Sequence, residues 1–129
     1  MSAPLSTGYA PNRTRHTYLA RQLRVADTHW SRFCGLMGTE VGSFPEGRGL
    51  WIVPCHGVHT FAMRFPIDVI YLDSDKVVVH LEENLKPWRL APVRLRATSV
   101  LELPGSTLSS TQTAIGDEIE IALAQAGQE

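Results

Sequence analysis

A chain of 129 residues, 43% hydrophobic and 19% charged, has the length of one ordinary domain and enough apolar residues to bury a core. Its formal net charge of -1 supplies no global field that would draw it onto nucleic acid or anionic lipid, so any electrostatic recognition has to be local. Two cysteines, Cys34 and Cys55, are too few for a disulfide scaffold.

The opening stretch MSAPLSTGYAPNRTRH lacks the apolar centre of a secretory signal, and no apolar run is long enough to span a bilayer. The expectation is a cytoplasmic protein with no membrane association. Residues 1–16 read as a disordered leader, residues 17–123 as a single β-rich domain, and residues 124–129 as a tail.

In residues 17–27, Leu19, Leu23 and Val25 share one parity, which predicts a half-exposed strand. Asp27 or Thr28 is placed to cap a short helix over residues 28–37. Trp30, Phe33, Cys34 and Met37 would share one face, and Gly38 would stop it. That helix is expected to plug an open end of the sheet. The glycine-rich residues 38–49 are a loop with no phosphate-cradling pattern.

Strands are expected at residues 50–53, 58–63 and 68–72, separated by Pro54, Gly57 and Pro66. The segment IDVIYLDSDKVVVHLE places two β-branched runs on either side of DSDK. Its aspartates and serine can bond their own backbone, so it predicts a hairpin. Two prolines make residues 84–92 irregular, residues 93–96 and 99–103 return to strand composition, residues 105–114 have room for a helical turn, and EIEIAL alternates as a last strand. About seven short strands with one short helix describe a mainly β (β-rich α+β) fold, either a small barrel or a rolled antiparallel sheet.

The ordered set RFCGLMG, GLWIVPCHGVHTFAMRFPIDVIYLD, LKPWR, SVLELPGS and IGDEIEI resembles the small prokaryotic family called domain of unknown function 192. The resemblance spans nearly the whole of the expected domain and implies a compact β-rich fold without implying a reaction. Its motif positions here are Gly35, Leu36 and Met37, then Phe61, Met63, Pro66 and Asp68, then Leu101 and Glu102, then Gly116 and Asp117.

Among chemical groups, Cys55, His56 and His59 with Met63 form CHxxHxxxM, a set of ligand types that suits zinc or copper but lacks the spacing of a zinc motif. Cys55 with His56 or His59 as its base would be a thiol nucleophile, for which no third orienting group is visible. No cofactor is predicted from these residues alone. Asp68 and Glu102 each enter an apolar strand, where a carboxylate is costly unless paired, and Arg64 and Arg89 are the natural counter-charges. Lys86, Trp88, Arg89, Arg94 and Arg96 gather positive charge around one aromatic, a set too small to predict nucleic acid.

No complete catalytic motif is present, so the reading leans away from an enzyme. It favours a small binding or accessory module with a polar pocket formed by His59, Met63, Arg64, Asp68, Arg89 and Glu102. That pocket would take a small polar or anionic ligand, or a segment of a protein partner. The alternative is a metal-dependent or cysteine-based enzyme using Cys55, His56 and His59. A monomer or weak dimer is expected.

Overall fold

The computed structural model describes residues 8–123, and the readings made for residues 1–7 and for the tail at 124–129 lie outside it. Seven strands form one mixed sheet: β1 (Gly8–Asn12), β2 (Thr17–Ala26), β3 (Arg48–Ile52), β4 (Ile67–Leu72), β5 (Val78–Leu85), β6 (Ser99–Pro104) and β7 (Ala122–Leu123). Their order is β5-β4-β6-β3-β2-β1-β7. β1 lies inside the stretch expected to be a leader; Ala10 and Asn12 are buried there.

The sheet stays open, and β2 and β3 run parallel, so it is neither a barrel nor wholly antiparallel. The chain between those two strands contains helix α1 (His29–Cys34) and the long glycine-rich loop, enough length to return to the same end of the sheet. At one end residues 116–120 bridge the two sides. Val78 N donates to Asp117 O at 2.9 Å, and Glu120 N donates to Pro11 O at 3.0 Å.

β4 and β6 sit side by side inside the sheet, and every residue of β4 is buried. Alternate residues therefore feed two cores, since successive strand side chains point to opposite faces. Ile67, Val69, Tyr71 and Val100 pack with Leu50, Ile52 and Met63 on one face. Ile70, Leu72, Leu101 and Leu103 pack with Leu19 and Leu23 on the other. Each such side chain contributes roughly 1.5–3 kcal/mol by leaving water, so a charge on either strand has to be accommodated against that background.

The hairpin forms as the sequence predicts. Asp73 Oδ1 accepts from Asp75 N and Val77 N, both at 2.9 Å, so its side chain holds the reversal between β4 and β5. Thr28 caps α1, its hydroxyl accepting from Ser31 N at 3.0 Å while Ser31 Oγ accepts from Thr28 N at 3.0 Å. The helix is shorter than expected, because Gly35 leaves helical geometry at φ 49° and ψ -121°. It buries none of its residues and plugs nothing. A second helix, α2 (Thr107–Thr111), occupies the segment expected to hold a helical turn.

Residues 58–63 do not form the expected strand. Thr60, fully buried, instead ties that segment to the 86–89 loop: its hydroxyl donates to Lys86 O at 2.7 Å and accepts from Arg89 N at 2.8 Å. Residues 93–96 are likewise irregular, and only the end of EIEIAL pairs as β7.

Candidate functional site

Asp68 and Glu102, expected to share one polar cluster, are separated by the sheet itself. Asp68 lies opposite Leu103 and Val69 lies opposite Glu102, so the two carboxyl groups project from opposite faces. Asp68 is fully buried and accepts from Asn84 N at 2.8 Å and from Leu108 N at 2.7 Å. Its partners are backbone amides at the end of β5 and in α2, not an arginine. Both oxygens of the buried carboxyl group are thereby satisfied, and two elements are fixed against β4.

Glu102 has no such partner. It is buried, and its Oε1 makes no hydrogen bond. A Cβ placed on Gly35 would come within 3.4 Å of that oxygen, so the turn after α1 lies directly over the carboxyl. Burial pushes the group up to about 8, which leaves it a neutral acid at neutral pH. The Cys55 thiol is held above its ordinary range by burial, with a further upward push from Glu102. Cys55 Sγ donates to Gly57 O at 3.0 Å.

The histidines are committed as well. His59 Nδ1 accepts from Phe61 N at 3.2 Å, which leaves Nε2 to donate to Phe33 O at 3.0 Å. His56 Nδ1 donates to Ala97 O at 2.7 Å. Cys55, His56 and His59 are thus each bonded to a different backbone group. No group of three His, Cys, Asp or Glu side chains among the described residues is placed to hold a metal ion.

Of the other residues in the expected pocket, Met63 packs in the core, and Arg64 pairs with Glu40 at 3.0 Å on the surface. Arg89 is exposed, its guanidinium donating to Trp88 O at 3.5 Å. The six residues therefore line no common pocket.

The structure instead gathers three segments, residues 28–39, 53–67 and 84–101, into one surface. Arg32 Nη1 donates to Pro54 O at 2.9 Å, joining the first to the second. Ala91 N donates to Val58 O and Arg94 N to His56 O, both at 2.9 Å, joining the second to the third. On this surface a row of rings runs from Trp30 through Phe33, His59 and Phe61 to Trp88, with successive centroids 6.1, 5.4, 4.9 and 6.0 Å apart. Trp30 is 73% exposed and Trp88 63%. Leu90, Val93 and Leu95 are exposed on the same segments.

The three segments carry Arg32, Arg64, Lys86, Arg89, Arg94 and Arg96, half of the chain's 12 basic residues, and their ends abut the acids Asp27, Glu40, Asp68, Glu83 and Glu102. Apart from Arg64, none of these six makes an ion pair among the described residues. Sequence reasoning found the 86–96 cluster but missed Trp30 and Phe33, whose apolar spacing suggested packing.

Two solved structures share the fold. A protein of unknown function from Novosphingobium aromaticivorans superposes with a TM-score of 0.75 at 20% identity, over 89% of this chain and 84% of that one. A Sinorhizobium meliloti protein, named provisionally as a transcription regulator, does so with a TM-score of 0.75 at 20% identity, over 94% and 96%. In sequence, the chain is 32% identical to a UPF0127 protein of Pyrococcus furiosus over 84% of its own length and 94% of the relative's. The family of domain of unknown function 192, described as "Uncharacterized ACR", matches residues 10–121, and the chain belongs to that family.

Proposed function

We propose that this protein is a small binding module whose recognising surface is the basic, ring-bearing face built from residues 28–39, 53–67 and 84–101, and that its partner is anionic. The observation that carries the reading is the excess of cations: six on three segments laced together in space, of which only Arg64 is ion-paired among the described residues, with Glu40 at 3.0 Å. In a chain of formal net charge -1, so one-sided a surface gives local attraction that the net charge does not. Exposed aromatic and aliphatic groups among the cations add contact area. Against the sequence expectation, the ligand meets a face and not an enclosed polar pocket.

The alternative, an enzyme using Cys55, His56 and His59, gains nothing from the geometry. A thiol held protonated by burial is a poor nucleophile, and neither histidine has a bond to it.

Retention on immobilised heparin at low ionic strength tests the reading. The wild-type chain is expected to bind and to elute with salt, and a Lys86→Ala, Arg89→Ala, Arg94→Ala variant to pass through. A wild type that passes through, or a variant retained equally well, overturns it.

A further inference from the structure

We infer that the partner of this basic face is the surface of an anionic lipid bilayer, on which the protein docks peripherally. The inference rests on the reading of that face as an anion-binding surface and adds the chemistry of what lies opposite it. Three observations point the same way.

The inner rings are already used. Phe61 stacks between His59 and Trp88, at interplanar angles of 26° on both sides, and His59 lies between Phe33 and Phe61. Phe61 is therefore engaged on both sides by its neighbours, which interrupts the run of free rings that a stacking platform for single strands requires.

The remaining exposed groups are aliphatic. Leu90 is 72% exposed, and Leu95 is 83% exposed. Aliphatic side chains offer a nucleobase little, but they insert among acyl chains, while tryptophan settles at the level of the headgroups. In the run WRLAPVRLR, Arg89, Arg94 and Arg96 alternate with Trp88, Leu90, Val93 and Leu95. That pattern sets cations among anionic headgroups while the apolar tips reach below them.

Most of the apolar groups stand clear of grooves. Phe33 lines one with Arg32, Pro54, Cys55 and His56, whereas Trp30, Phe61, Trp88, Leu90, Val93 and Leu95 line neither that groove nor three others on the described surface. Protruding side chains flanked by arginine suit a deformable sheet of headgroups, whereas a protein would need a matching hollow with an acid placed for each cation. No helix among the described residues is long and apolar enough to cross a membrane, and peripheral docking needs none. The sequence expectation of no membrane association followed from the lack of a span, and a surface of this kind leaves no such trace.

Co-sedimentation of the full chain with vesicles of phosphatidylcholine, with and without phosphatidylglycerol, tests the inference. Binding is expected only to the vesicles containing phosphatidylglycerol and should weaken as salt is raised. An Arg89→Ala, Arg94→Ala variant should partition about thirtyfold less, at roughly one unit of headgroup attraction per arginine. A Trp88→Ser, Leu90→Ser variant, which keeps every charge, should also lose binding, because the apolar tips are part of the contact. Circular dichroism confirms that each variant is folded.

If neither vesicle binds while heparin still does, the lipid inference fails and the basic face stands. If heparin fails as well, both fall. Vesicle binding unaffected by either variant, or tighter binding to a single-stranded oligonucleotide than to the anionic vesicles, overturns the inference.

Discussion

Asp68 and Glu102 stand one register step apart on adjacent interior strands, yet one carboxyl is bonded to two backbone amides on one face of the sheet and the other lies unpartnered on the opposite face. The two acids that look alike in the sequence therefore make opposite contributions to stability.

Removing Asp68 should be costly. An Asp68→Ala change strands the amides of Asn84 and Leu108 where they now meet a carboxyl group at 2.8 and 2.7 Å. Two orphaned donors, one of them buried, cost about 2–5 kcal/mol. Asp68→Asn should recover part of this, since its amide oxygen can still accept from one of the two. Urea unfolding measures both, and a loss below about 1 kcal/mol for the alanine variant would show that the anchor is unimportant.

Glu102 should destabilise the fold as pH rises. Its folded value, up at about 8, lies above the ordinary 4.5. Below 4.5 the group is protonated folded or unfolded and contributes no pH dependence. Between 4.5 and about 8 the unfolded chain ionises first, so stability declines by about 1.4 kcal/mol per pH unit from this group. Above that window the contribution is level. Glu102→Gln removes this slope, so the variant should gain on the wild type as pH rises through the window. Parallel stability curves for the two proteins would show that Glu102 ionises normally in the fold.

The fold was legible where a residue acts on its own neighbours. Asp73 bonds the backbone two and four residues on, and Thr28 bonds Ser31 three residues on, so the hairpin and the start of α1 could be read directly. Thr60 was not legible. Its partners Lys86 and Arg89 are distant in sequence, and their pairing with it turns a strand-like run into a loop. The exposed Trp30 and Phe33 were misread for a related reason: an apolar stripe at helical spacing ordinarily faces a core, and nothing local reveals that the sheet leaves this one uncovered. Glu102 was singled out as an oddity in an apolar strand, but its lack of a counter-ion depends on where Arg64 and Arg89 go, and Arg64 is taken by Glu40.

Cys55 should react slowly. Burial holds its thiol above the ordinary range and Gly57 O accepts its hydrogen, so little thiolate exists at neutral pH. In a Cys34→Ser background, alkylation by iodoacetamide should be slower than for a free cysteine and should accelerate only under alkaline conditions. Glu102→Gln removes the nearby acid that adds to the upward push and should speed the reaction at alkaline pH. Rapid modification at neutral pH would revive the thiol-enzyme reading.

Asp117 should tie β1 to the C-terminal turn. Its Oδ2 accepts from Asn12 Nδ2 at 3.0 Å, Arg15 Nε at 2.9 Å and Ala114 N at 3.0 Å. Burial alone would raise its carboxyl, but Arg15, Asn12 and the Ala114 amide outweigh that and hold it below the ordinary 3.8. The sign is thus opposite to that of Glu102: the stability Asp117 supplies is present above 3.8 and is lost as pH falls through the lower folded value. Asp117→Ala leaves the buried Asn12 without one of its acceptors and should cost about 1–3 kcal/mol, whereas Arg15→Ala, which removes an exposed partner, should cost much less. The clearest reading is hydrogen exchange. In the Asp117→Ala variant the amides of β1 should lose protection ahead of those in β4 and β6, because Asn12 would keep only Thr113 as the acceptor for its side-chain amide. Uniform loss of protection across the sheet would show instead that Asp117 stabilises the whole domain and not this seam.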